Sequence, residues 1–402
     1  MELSHLSNVR QEIEKELVDH ILPFWKTHAV DEYGDGFHGY LFFDLSIDKE
    51  CDHICLLYSK ILWSFSAAYR KFKQEDDLKV AQRSFDYMME HFLDKEHGGF
   101  YWSVDEKNGL GKDTNKHMYN QAYAIYGLTE FFQASGVEEA LEQGKQLYHL
   151  LEKNGVDAEN GGYFEAFSRE WQQDSELSHK VHELHVSKSI KTHLQLLEAY
   201  TNLYRVWDDE GLKASLERLF DIIVEKVLNG DNHFHVYFNN RWEPDSSLVS
   251  YGRDLEGSWI LTEAAKVLRC ERRMDMIKTT AVDIVNACLE GGVEEDGSFI
   301  HESIGEEVTD GDRVWWVQSE GLVALLNAYE LSGENKYLTH FNNLWEYIRD
   351  YYIDQKHGEW YWQLTSENEI DTSKPIVETW KGPDHNTRGL MESMERISKI
   401  VT

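Results

Sequence analysis

The ten residues Glu96–Asp105, EHGGFYWSVD, join an acidic, glycine-rich turn to a short aromatic run. The same arrangement returns in DGFHGYLFFD (35–44), ENGGYFEAFS (159–168), NGDNHFHVYF (229–238), EDGSFIHE (295–302) and KHGEWYWQLT (356–365). Successive copies lie roughly 60 to 70 residues apart, which marks an internal repeat. Between the turns run paired segments with apolar residues at i, i+3, i+4 and i+7, and this periodicity predicts amphipathic helices. The pairs are 54–74 with 77–93, 117–135 with 137–152, 187–207 with 211–228, 251–269 with 273–289, and 313–331 with 335–352. Terminal helices at about 6–25 and 384–399 supply the sixth pair. The first helix of each pair is richer in aromatic and small residues, as in ILWSFSAAYR (61–70) and YNQAYAIYGL (119–128), and the second carries more charge. The first is therefore expected inside and the second outside. Six hairpins in two rings predict an all-α (α/α)6 barrel, with residues 1–402 as one catalytic unit.

Composition is consistent with a single body. Only four prolines interrupt the chain and no Ser-, Gly- or Pro-rich tether divides it. Hydrophobic residues make up 41%, enough to cover one large core. Forty Lys and Arg against 73 Asp and Glu give a formal charge of −33, which repels phosphate backbones and anionic bilayers. Nucleic acid and membrane are thereby excluded as expected partners. The opening residues alternate charge and apolar side chains without an apolar run of signal-peptide type. Cys51, Cys55, Cys270 and Cys288 form neither a disulfide framework nor a zinc-spaced set. A reduced, cytoplasmic protein is expected, as a monomer or weak homodimer.

An inner ring of aromatic helices suits sugars, whose apolar faces stack on rings and whose hydroxyls need fixed polar partners. Tyr119, at the start of one inner helix, is a candidate for that wall. Five stretches crowd polar residues into aromatic surroundings: YSKILWSF (58–65), SIKTHLQLLEAY (189–200), SYGRDLEGSW (250–259), VWWVQSEGL (314–322) and WKGPDHNTRG (380–389). In the last, Pro383 falls near the first turn of the final helix. His385 would then sit at a helix N-terminus, where the dipole disfavours imidazolium and keeps the ring available as a base.

Together these stretches resemble the cellobiose 2-epimerases and, more broadly, the N-acylglucosamine 2-epimerase superfamily, over nearly the whole chain. The resemblance implies an (α/α)6 barrel that uses no metal or nicotinamide. It also implies inversion of the carbon next to the anomeric centre of a reducing-end glucose or mannose unit, on a mono- or disaccharide. In such enzymes two histidines flank C2, a carboxylate assists, and tryptophans hold the sugar rings. His385 matches one histidine, Trp380 the tryptophan before it, Glu256 the carboxylate, and Trp315 or Trp316 the aromatic position, with Trp316 preferred. Four positions depart. The family's arginine is Lys60, its asparagine and histidine in N-T-H-L-H are Lys191 and Gln195, and its second catalytic histidine is Arg253.

Other histidines are expected to lie elsewhere. His193 is rotated about 200° from the face shared by Lys191 and Gln195. His182, His185 and His117 read as loop or surface residues. Arg253, with a pKa of about 12.5 or more, is neutral in roughly one molecule per million at pH 7 and is a poor base. It is a rigid donor fork for an enediolate oxygen or an anionic substrate group, or simply the partner of Glu256 at i,i+3. Three readings follow: a disaccharide 2-epimerase with His385 as main acid/base; an aldose–ketose isomerase with His385 as single base, on a sugar that includes anionic ones; and a sugar-binding protein without catalysis. Glycoside hydrolysis would need a carboxylate pair drawn from Glu256, Glu320 and Asp254.

Overall fold

The computed structural model describes residues 3–105, 107–173 and 186–402. Among them, twelve long helices alternate between an inner and an outer ring. The inner ring is α2 (Cys55–Phe72), α4 (Met118–Ser135), α6 (Ile190–Tyr204), α8 (Tyr251–Leu268), α10 (Trp315–Ser332) and α12 (Asp384–Val401). The outer ring is α1 (Leu3–Lys15), α3 (Glu75–Tyr87), α5 (Glu138–Asn154), α7 (Glu210–Ile222), α9 (Glu271–Gly291) and α11 (Asn335–Tyr347). Inner neighbours pack in order, and α12 closes the circle on α2. The fold is the (α/α)6 barrel that the repeat predicts. The inner helices are buried nearly all round because they meet outer helices behind and the barrel interior in front, whereas α3 and α11 keep one charged, exposed face. No helix among the described residues is long and apolar enough to cross a membrane.

The aromatic turns organise one rim. Beyond each outer helix, past any further helical turns, a residue bridges the aromatic of the following turn: Val30 to Phe37, Leu93 to Phe100, Val156 to Tyr163, Leu228 to Phe234, Val293 to Phe299 and Ile353 to Trp360. Short antiparallel strands then carry the chain into the inner helices. β1 (His53–Ile54) pairs with β2 (Ser103–Val104) and leads into α2. The pairs Lys116–Phe167, Lys188–Phe238, Ser250–Glu302 and Arg313–Leu364 do the same ahead of α4, α6, α8 and α10. A bridge from Leu41 to Val377 completes the cycle ahead of α12. All six inner-helix N-termini are thereby pinned at the same rim, and their dipoles point positive ends at one opening.

A second regularity lies at the fourth residue of the inner helices. Tyr58 Oη accepts from the Phe37 backbone N at 2.8 Å, Gln121 Oε1 from Phe100 N at 2.9 Å, and His193 Nε2 from Tyr163 N at 3.0 Å. Asp254 Oδ1 accepts from Phe234 N at 2.8 Å and Gln318 Oε1 from Phe299 N at 2.9 Å. These side chains satisfy buried backbone donors that the turns leave open. His193 and Asp254 are therefore struts of the rim. His193 also donates from Nδ1 to the Ser189 carbonyl at 2.7 Å, which fixes the neutral tautomer, and burial lowers its pKa to about 4. Replacing His193 by alanine is expected to cost about 1–3 kcal/mol by orphaning the Tyr163 amide. Urea unfolding measures this, and a cost below about 0.5 kcal/mol would contradict the strut role.

Candidate active site

Side chains that face the barrel axis recur at the second and sixth residues of the inner helices, one helical turn apart. The second-residue layer holds Tyr119 on α4, Lys191 on α6, Trp316 on α10 and His385 on α12. The sixth-residue layer, a turn deeper, holds Lys60, Tyr123, Gln195, Glu256 and Glu320. Of the positions the sequence assigns to an epimerase cleft, all but Trp315, Trp380 and Arg253 fall in these two layers, and Trp380 and Arg253 border them.

His385 is 4% exposed, and its Nδ1 lies 2.7 Å from Glu320 Oε1. An imidazole that donates from Nδ1 keeps Nε2 as its working nitrogen. Nε2 lies 3.8 Å from Asp384 Oδ2. The ring sits 5.5 Å from that of Trp316, tilted by 41°. Gly252 makes this arrangement possible: a Cβ there would stand 2.3 Å from Trp316 Cη2.

Arg253 donates to Glu256 Oε2 at 2.7 Å and lies 4.6 Å from the Trp316 ring centroid. The i,i+3 ion pair is thus formed inside the cleft wall. Burial opposes the charge on Arg253, but Glu256 and the rest of its surroundings raise its pKa further. Glu256 has its other oxygen, Oε1, 3.1 Å from Arg388 Nη2. That nitrogen also donates to Glu320 Oε1 at 2.6 Å, while Nη1 donates to Glu198 Oε1 at 2.6 Å. One buried guanidinium therefore joins three buried carboxylates. Burial pushes Glu320 up, and Arg388 and His385 overcome it, leaving the carboxyl at about 2. For Glu198 burial wins, with help from Glu256 and Glu320, and the carboxyl rises to about 7. Ligand atoms of Glu256, Glu320 and His385 lie within 4.8 Å of one another, a spacing that suits a metal ion, but Arg388 already bridges the two carboxylates.

Lys60 donates to the Trp380 carbonyl at 2.8 Å and stands 3.5 Å from Asp384 Oδ1. Asp384 Oδ2 accepts from Tyr123 at 2.9 Å. Lys191 lies in the first turn of α6, which Ser189 caps by accepting from Thr192 N. Its Nζ stands 4.9 Å from the Tyr119 centroid and 4.8 Å from that of Trp380. Trp380 is 37% exposed and marks the cleft mouth.

Some readings shift. Gln195 is buried and donates to Glu198 at 3.0 Å, so it belongs to the deep polar layer. Trp315 turns away from the axis to pack on Trp362 at 4.7 Å and leaves the wall to Trp316. His117, expected at the surface, is buried 4.8 Å from Trp102, because the short strand Lys116–His117 pairs with the next turn. His182 and His185 lie outside the described residues. Asp254 is a strut bonded also to His233 at 2.7 Å, which removes it from any carboxylate pair for hydrolysis. Arg388, Glu198, Asp384 and Tyr123 were not singled out beforehand. The available signal was charge at buried helix positions, since Asp384 directly precedes His385 and Arg388 follows it by three residues, about one helical turn.

The sequence profile described as N-acylglucosamine 2-epimerase matches residues 36–379. The chain is 36% identical over 385 residues to a cellobiose 2-epimerase from Bacteroides fragilis, covering 96% of this chain and 98% of that one. It is 37% identical over 392 residues to a cellobiose 2-epimerase from Ruminococcus albus, with coverage of 96% and 98%. The solved structure of cellobiose 2-epimerase from Bacillus thermoamylovorans superposes with a TM-score of 0.91 at 38% identity, covering 97% of this chain and all of that one. A D-mannose isomerase structure shares the fold at a TM-score of 0.83 and 19% identity.

Proposed function

Because the chain belongs to the N-acylglucosamine 2-epimerase family, we propose that it inverts C2 of the reducing-end sugar of a β-1,4-linked disaccharide, interconverting glucose and mannose units. The observation that carries this reading is the His385–Glu320 hydrogen bond at 2.7 Å, which aims a basic nitrogen at a cleft lined by Trp316, Tyr119 and Trp380. Once the sugar opens to its aldehyde, His385 Nε2 removes the C2 proton and the electron pair moves toward the carbonyl. Negative charge develops on the carbonyl oxygen as an enediolate. Arg253 supplies donors there, and the six helix N-termini add a positive field that costs no reorganisation. The aromatic wall holds the rings by stacking.

Arg253 also favours a second reading, in which His385 alone carries the proton from C2 to C1 on one face and releases a ketose. Proton NMR in heavy water with cellobiose, mannobiose, lactose and mannose separates the two. The expected result is deuterium at C2 together with new signals of the C2 epimer. Ketose without epimer would select the isomerase, and no exchange with any of these sugars or their anionic relatives would overturn both.

A further inference from the structure

We propose that Lys191 is the acid/base that serves the face of the sugar opposite His385. The proposal rests on the epimerase reading above, since inversion requires a proton to leave one face of C2 and another to arrive on the other.

Position supports it first. Neighbour contacts order the inner ring as α2, α4, α6, α8, α10, α12 and back to α2, so α6 and α12 stand across the barrel from one another. Lys191 and His385 are each the second residue of their helix, at the same depth on opposite walls.

Elimination supports it next. Arg253 cannot give up its proton at working pH. The Tyr119 and Tyr123 phenols are pushed well up by burial. Both oxygens of Glu256 are taken by arginines, and Glu320 accepts from Trp259 and Arg388 and binds His385. Lys60 is held between the Trp380 carbonyl and Asp384. Lys191 is different: among the described residues no carboxylate oxygen lies within 4.0 Å of its Nζ, which stands over the faces of Tyr119 and Trp380. Burial lowers its pKa to about 8, with Glu165 opposing and Arg253 and Lys60 reinforcing the fall. At pH 7 roughly one Lys191 in ten is then the free amine, so both forms needed for a reversible proton transfer are populated.

The step balances. His385 takes the C2 proton and the C–H electron pair forms the enediolate. The Lys191 ammonium returns a proton to C2 on the far side, the carbonyl reforms, and the enzyme is left with imidazolium and amine. Exchange with water resets both. In the reverse direction the amine removes the proton and the imidazolium supplies one.

The test compares Lys191→Met and Lys191→Arg with the parent protein, all checked for an unchanged melting transition, in heavy water with cellobiose and its C2 epimer. The expected result is a fall in epimer formation of about 10²–10⁴-fold in both variants, while His385-dependent deuterium exchange at C2 of the sugar it deprotonates persists. In the parent, the direction that Lys191 initiates gains rate with pH up to a limb near 8, which disappears in both variants. Epimer formation retained by Lys191→Arg would overturn the proposal in favour of a purely electrostatic role. Retention by Lys191→Met would overturn it outright, and in either case the epimerase reading stands. Exchange without epimer in the parent would overturn the proposal, and no exchange at all would remove the epimerase reading with it.

Discussion

Replacing His385 by asparagine is expected to lower turnover by about 10²–10⁴-fold, the usual contribution of a positioned proton-transfer group. Asparagine keeps a side-chain N–H able to reach Glu320 but cannot accept a proton at neutral pH. The fold should survive, because His385 contacts Trp316 and Trp315 at 5.5 and 6.3 Å between centroids and supports no backbone group of the rim. C2 exchange of the sugar that His385 deprotonates and product formation should fall together, which distinguishes this variant from those at Lys191. Replacing Glu320 by glutamine should act through His385, since Glu320 holds the imidazole in the tautomer that frees Nε2. Undiminished C2 exchange, in the asparagine variant, of the sugar assigned to His385 would show that its base lies elsewhere.

Replacing Arg388 by methionine should produce the largest loss of stability, about 3–5 kcal/mol, as expected when one partner of a buried ionic network is removed. Glu198, Glu256 and Glu320 would then face one another without their shared cation. The sign of the pH dependence follows. Glu198 already has a folded-state pKa of about 7, above its ordinary 4.5. Between those values the folded protein binds a proton that the unfolded chain does not, so this group's contribution to stability falls as pH rises from about 4.5 to about 7. Without Arg388 the remaining carboxyls join that pattern, and the variant should unfold more readily at pH 8 than at pH 5. Adding Glu198→Gln should recover part of the loss, because it removes one of the uncompensated charges. Urea unfolding at the two pH values provides the check, and a loss under about 1 kcal/mol at pH 8 would contradict the network's role.

Much of the architecture was legible along the chain. The six aromatic turns and the helical periodicity between them lead to twelve helices in two rings, and the observed boundaries follow closely: the segment read as 251–269 is Tyr251–Leu268. Local geometry also carried one contact and one orientation. The i,i+3 spacing of Arg253 and Glu256 becomes a 2.7 Å ion pair, and His193 turns away from the face of Lys191 and Gln195 to bind the rim. The position of His385 in the first turn of the last helix was equally readable, because Pro383 ends the loop before it.

What decides the chemistry is not local. Glu320 orients His385 from 65 residues away, and Arg388 reaches Glu198, Glu256 and Glu320 across separations of 190, 132 and 68 residues. Periodicity along a helix tells which side chains share a face, but it carries no information about which helix stands opposite. That is settled only when six hairpins close into a ring. Closure puts the second residues of α6 and α12, Lys191 and His385, across from each other at one depth. The sequence by itself determined the barrel, the rim and the residue types at the cleft. Only the tertiary structure determined which charges neutralise one another, because burial and long-range pairing set the protonation of a side chain and both come into being when the ring shuts.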